Sequence, residues 1–155
     1  MVKLKRTTEY GLIALRHIGR KNQENPEGVV SAREIADHYG LPFEITAKTL
    51  QRLRDSGLIH SAQGVHGGYA LSRSLEQVTL AEFLEAMEGP QALVLCAPLA
   101  QGVGEANLSE EAEGGCEYSC RCEVKGFMAD LNQKVMGFLS GIRLADLRGE
   151  GKSFL

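Results

Sequence analysis

Residues 30–69 read VSAREIADHYGLPFEITAKTLQRLRDSGLIHSAQGVHGGY, and this stretch decides the fold. Ser31 is a favourable helix N-cap, and Glu34, three residues on, completes a capping box. Ile35 and Ala36 give this short helix an apolar face, and Gly40 permits the sharp turn that ends it. Pro42 stands where a helix start tolerates proline. Phe43, Ala47, Leu50 and Leu53 then follow three- and four-residue steps. Their spacing predicts one buried face on a second helix. The opposite face carries Glu44, Lys48, Gln51, Arg52 and Asp55. Gly57 stops this helix. Leu58–Ala62 and Tyr69–Ser72 are strand candidates around the glycine-rich tip Gln63-Gly64-Val65-His66-Gly67-Gly68.

Two short helices around a tight turn, followed by a hairpin, make a winged helix-turn-helix. The fold expected is mainly α with a small β-hairpin wing. The second helix is narrow enough for the major groove of DNA, and the hairpin can reach backbone or minor groove. On this stretch alone, an αα-hairpin that merely packs is the alternative.

The charge distribution favours the DNA reading. The chain of 155 residues has a net charge of −3. Up to Arg73, however, it holds 11 Lys and Arg against 7 Asp and Glu, while the remainder holds 6 against 13. A basic front and an acidic back fit a DNA-contacting module joined to something else. With 43% hydrophobic residues a real core is possible. No apolar run approaches the ~20 residues of a membrane span. The basic start, Met1 to Arg6, is followed by no long apolar signal segment. A cytoplasmic protein is expected.

The rest of the chain adds three features. Thr7 or Thr8 can cap a first helix reaching about Gly19, with Leu12, Ile13, Leu15 and Ile18 as its stripe and Glu9 in its first turn, where a carboxylate suits the helix dipole. Lys21–Gly28 reads as a loop. His17, His38 and His60 stand apart in sequence and read as surface or packing residues. Thr79 and Glu82 form a second capping box for a helix over Leu80–Met87, ended by Gly89-Pro90. Beyond it, Cys96, Cys116, Cys120 and Cys122 cluster around the Gly-, Ala- and Glu-rich segment 97–115; in a reducing compartment such clusters more often mean metal or redox chemistry than disulfides. Finally, Val124, Met128, Leu131, Val135, Phe138 and Ile142 form a heptad seam. An amphipathic helix packed on its own domain is the alternative, but a seam after a complete winged helix suits a twofold dimer, which spaces two recognition helices about one DNA turn, roughly 34 Å, apart. The organisation expected is a DNA-binding domain over 1–91, a cysteine-containing sensor loop over 92–123, and a dimerisation helix with tail over 124–155.

The chain resembles the Rrf-two family of bacterial winged-helix regulators over nearly its whole length. The resemblance rests on Thr8-Glu9-Tyr10-Gly11-Leu12, Glu34-Ile35-Ala36, Leu53 to Ile59, Ser61 through Gly67-Gly68-Tyr69, Leu80-Ala81-Glu82, Phe138 to Ile142, and Leu144 to Leu147. It implies a homodimer of winged helices joined by a long helix, bound to a double-stranded DNA operator. It also implies an iron–sulfur cluster, 2Fe–2S or 4Fe–4S, held by three cysteines ahead of that helix. Cys96, Cys116 and Cys122 take those positions. The pattern departs from IscR-like members in the long insertion between Cys96 and Cys116, in the extra Cys120, and in Lys125, which replaces a ligand histidine. NsrR-like members use a carboxylate from the partner's first helix, and Glu9 aligns with it, so Glu9 and Cys120 are the two candidates for the fourth ligand. In the recognition helix, Glu44, Thr46, Ala47 and Lys48 occupy the family's reading positions. The full set of candidate DNA contacts adds Ser31, Phe43 and Arg52, with Gln63 and His66 in the wing, where the family's arginine is absent.

The function expected is that of a cytoplasmic, homodimeric regulator, a repressor, whose promoter binding is controlled by the cluster in response to redox state, iron or nitric oxide. The alternatives are a cluster-free regulator controlled by a protein partner or thiol oxidation, and a zinc-stabilised DNA-binding protein. An enzyme with Cys120 or Cys122 as nucleophile is not favoured, since no general-base histidine lies near them in sequence.

Overall fold

The computed structural model describes residues 4–26, 28–62, 67–90 and 121–147. The expected order of elements is present. Helix α1 spans Arg6–Glu24, α2 Ala32–Tyr39 and α3 Phe43–Asp55. Strands β1, Ile59–Ala62, and β2, Gly68–Leu71, pair antiparallel with Ile59 opposite Leu71 and Ala62 opposite Gly68. Helix α4 follows at Leu80–Glu88 and α5 at Lys125–Gly141, and a 3-10 turn, Leu144–Leu147, ends the described chain.

Both capping boxes form their first half. The Glu34 amide donates to Ser31 Oγ at 3.0 Å, and the Glu82 amide to Thr79 Oγ1 at 3.1 Å. The carboxylates do not reach back to the caps as the sequence pattern suggests. Glu34 turns to α1, and Glu82 pairs with Arg73. Gly40 takes φ 64°, a left-handed conformation open to glycine without a Cβ penalty, and turns the chain from α2 into α3.

α1 departs from expectation at both ends. Its N-cap is Lys5, with no side-chain cap, so neither Thr7 nor Thr8 caps it. Thr8 lies inside the helix and is fully buried. The helix runs five residues past Gly19, into the first half of the segment read as loop, because Lys21, Gln23 and Glu24 are good helix formers and Lys21 Nζ meets Glu34 at 3.2 Å.

The core lies where α1, α3, α4 and the root of the hairpin meet. Leu15, Ile18, Ile35, Leu50, Leu53, Leu58, Phe83 and Met87 are its largest members. Each such side chain withdrawn from water stabilises the fold by about 1.5–3 kcal/mol. The chain after α5 returns to this core. The Leu80 amide donates to Ile142 O at 2.8 Å, the Leu144 amide to Val78 O at 3.0 Å, and Leu144 joins the core itself.

α5 is different. Asn132 is its one buried residue, and Leu139 packs against the core from the side. Of the expected seam, Val124, Leu131 and Phe138 are exposed, at 53%, 38% and 58%, and Phe127 joins them at 64%. Met128, Val135 and Ile142 are half-buried. Val124 and Ile142 are the helix caps rather than helical residues.

Candidate nucleic-acid interface and sensor residues

The α2–turn–α3 unit presents one face of α3 outward. Glu44, Lys48, Gln51 and Arg52 are exposed on it, together with Phe43 at 41% and Ile45 at 40%. α3 has 13 residues, a rod of roughly 20 Å, and its N-terminal turns fit a major groove about 12 Å wide.

Its buried stripe is not the one expected. Thr46, Thr49, Leu50 and Leu53 face the core, while Phe43 is exposed and Ala47 half-buried. The two threonines hide their hydroxyls: Thr46 Oγ1 donates to Pro42 O at 3.0 Å and Thr49 Oγ1 to Ile45 O at 2.8 Å. With its hydroxyl so bonded, a threonine packs much as a valine would. The buried stripe is therefore rotated away from the one that plainly apolar residues alone define. Thr46, 1% exposed, faces the core in this chain and offers no group to a base.

Three other candidate contacts have partners within the protein. Ser31 Oγ caps α2. Arg52 Nε donates to Ala86 O at 3.1 Å and ties α3 to the last turn of α4. Phe43 lies under the Arg33 guanidinium, 4.3 Å from its ring centroid. Glu44 and Lys48 remain on the outward face.

The hairpin is rooted in the helical unit. The Val30 amide donates to Tyr69 O at 2.9 Å, and the Tyr69 amide returns to Val30 O at 2.8 Å. Gly68 makes this approach possible, since a Cβ there would stand 2.8 Å from Val30 O. The tip residues Gln63 and His66 lie outside the described residues, as do Cys96, Cys116 and Cys120.

Among the sensor candidates, Cys122 and Glu9 are described. Cys122 is half-buried with a free thiol, three residues ahead of the first residue of α5, Lys125. Glu9 is exposed on the first turn of α1. Its neighbour Thr8 donates to Glu88 Oε1 at 2.7 Å, and the Lys5 amide donates to the same oxygen at 3.2 Å. The start of α1 is thereby fixed to the end of α4, where the chain leaves for the cysteine segment. Among the described residues, no three His, Cys, Asp or Glu side chains stand together as a metal site.

Sequence reasoning missed a polar cluster at the α1–α2 junction. His17 is 2% exposed; its Nδ1 lies 3.2 Å from the Tyr39 hydroxyl, its Nε2 lies 3.2 Å from Glu34 Oε1, and its ring stands 5.1 Å from that of His38. Burial pushes the Glu34 carboxyl up, but the hydrogen bonds and charges of His17 and Lys21 outweigh it and hold the carboxyl below its ordinary value. The available signal was the position of His17 between Leu15 and Ile18 on the buried side of α1.

The sequence profile of the Rrf2 (Rrf-two) family, described as "Iron-dependent Transcriptional regulator", matches residues 4–150. The chain belongs to this family. The Rrf2 family is one of transcriptional regulators that bind DNA, not of enzymes. A relative named HTH-type transcriptional regulator IscR, from Photorhabdus laumondii, is 26% identical over 138 residues, covering 89% of this chain and 74% of its own. The structure of CymR, titled the global cysteine regulator of B. subtilis, superposes with a TM-score of 0.65 at 23% identity, covering 98% of this chain and 100% of its own. The structure titled T. potens IscR gives 0.61 at 21% identity, covering 99% and 95%. These two likenesses establish the winged-helix fold. No helix among the described residues of this Rrf2 protein is long and apolar enough to cross a membrane.

Proposed function

We propose that this Rrf2 protein is a cytoplasmic, homodimeric repressor that grips a double-stranded operator with α3 and the wing, and whose grip is set by an iron–sulfur cluster. The DNA-binding domain covers residues 1–91, the sensor loop 92–123, and the dimerisation helix with tail 124–155. Glu44 and Lys48 are the base- or phosphate-contacting side chains of α3; Gln63 and His66 serve the wing.

The observation that carries this reading is the outward face of α3 next to a hairpin bonded to the same unit at Val30 and Tyr69. Lys48→Ala tests it by gel shift. Specific binding falling more than binding to random DNA identifies a base contact, and an equal fall identifies a phosphate contact. A wild-type chain that binds no duplex would overturn the reading.

Two of the described residues carry donor groups of a kind that suits a cluster. Cys122 offers a free thiol ahead of α5, and Glu9 an outward carboxylate. Cys96, Cys116 and Cys122 supply three thiolates, and Glu9 of the partner subunit or Cys120 the fourth ligand. Soft thiolates suit iron–sulfur iron, and a carboxylate would leave one iron more weakly held. When bound, the cluster supplies a charge and a ligand set that change with oxidation or ligand exchange. Anaerobic purification with iron and sulfide analysis tests this directly. Iron without sulfide, or zinc, would sink it.

A second reading is a cluster-free regulator answering to a protein partner or to thiol oxidation. The likeness to a structure titled a cysteine regulator, and Lys125 in place of a ligand histidine, favour it. A colourless, iron-free protein after anaerobic purification would select it.

A further inference from the structure

Two large apolar side chains stand in the first turn of α3 on a face that is otherwise polar, Phe43 and Ile45, 41% and 40% exposed. On the helix they flank Glu44 and Lys48 on opposite sides, since residues two apart point away from each other and Ile45 lies one turn below Lys48. Their surroundings differ. The ring of Phe43 is covered by the Arg33 guanidinium at 4.3 Å. Ile45, equally exposed, stands beside the lysine.

Ile45 keeps 40% of its surface open in the first turn of α3, beside polar neighbours. A β-branched residue is a modest helix former, and the part of its apolar surface left in water is available to a ligand. Its χ1 in a helix is nearly fixed, so its methyl groups hold one position at little entropic cost. The major-groove edges of the four bases display donors, acceptors and a single apolar group, the C5-methyl of thymine. A rigid branched aliphatic chain next to a cation, on a helix that enters the groove, matches that group.

We infer that Ile45 is a specificity-determining residue that reads the C5-methyl of a thymine in each operator half-site, beside the contact made by Lys48. This rests on the reading of α3 as the helix that enters DNA. It predicts that the preferred operator carries a thymine for its methyl, not only for its pairing edge.

The test uses the full-length chain, purified anaerobically, and an operator selected from a randomised duplex library. Each thymine is then replaced in turn by deoxyuridine, which pairs identically and lacks the methyl. One replacement per half-site should weaken wild-type binding about four-fold, the loss for one methyl-sized contact. Ile45→Ala should bind the thymine and deoxyuridine duplexes equally, while Ile45→Val and Lys48→Ala keep the difference. In the wild type, 5-methylcytosine at that position should bind better than cytosine. Ile45 is exposed, and an unchanged melting temperature for Ile45→Ala establishes that the variant folds. Binding that is indifferent to deoxyuridine at every thymine, or a penalty that persists in Ile45→Ala, would overturn the inference while leaving DNA binding intact. Failure of the library to yield any bound duplex would overturn the DNA-binding reading with it.

Discussion

The Thr8 hydroxyl donates to Glu88 Oε1 at 2.7 Å across 80 positions of sequence. This bond, with that from the Lys5 amide, holds the Glu88 carboxyl below its ordinary value. Thr8 is fully buried, so its hydroxyl has no water to turn to. Thr8→Val keeps the shape and removes the donor. It should lower stability by about 0.5–1.5 kcal/mol, read as a lower urea midpoint at unchanged slope. An unchanged midpoint would mean that the bond contributes nothing net.

The Glu34 carboxyl, held low by His17 and Lys21, links stability to pH. A carboxyl whose folded pKa is depressed contributes stability above its unfolded value, here 4.5, and that contribution is lost as pH falls through the lower folded value. The melting temperature of the wild type should therefore fall more steeply below about pH 5 than that of Glu34→Gln. The Glu34 side chain is 37% exposed, so the difference should be modest. Parallel curves from pH 6 to pH 3 would contradict the linkage.

Gly68 is the next position to probe. A Cβ there would meet Val30 O at 2.8 Å and Val30 C at 2.9 Å, backbone atoms that cannot swing aside. Gly68→Ala should destabilise by about 1–3 kcal/mol and weaken DNA binding by displacing the hairpin. Gly137→Ala is the control. Nothing lies within 4 Å of its Cβ position in the middle of α5, and alanine favours helix, so it should be neutral or slightly stabilising in thermal melts.

The exposed apolar residues of α5 make a prediction about assembly. Leu131→Asp places a carboxylate among Phe127, Val124 and Phe138. Sedimentation should show a wild-type dimer and a monomeric variant, since burying an unpaired charge costs several kcal/mol. A wild-type chain that sediments as a monomer at micromolar concentration would remove α5 from any dimer interface.

Local chemistry was legible in the sequence and side-chain partners were not. Ser31, Gly40, Thr79 and Gly89 each act through a backbone bond or a φ value within a few residues, and each stands where its spacing put it. Residue type alone puts Phe43 inside and Thr46 outside; the structure reverses them, because the Thr46 hydroxyl finds a carbonyl four residues back. His17 reads as an isolated residue because its partners Glu34 and Tyr39 lie 17 and 22 positions away. Arg52 reads as a DNA contact because Ala86 is 34 positions off. Spacing cannot reveal a partner on another element.

The paired bonds between Val30 and Tyr69 tie the hairpin root directly to the chain entering α2. A direct linkage transmits displacement both ways. In the proposed complex, a phosphate that obstructs the wing would displace α3 as well, and an ill-fitting base under α3 would pull on the wing. Substitutions at the two ends of an operator half-site should therefore fail to add: once one end has lifted the head, a second mismatch finds little grip left to lose.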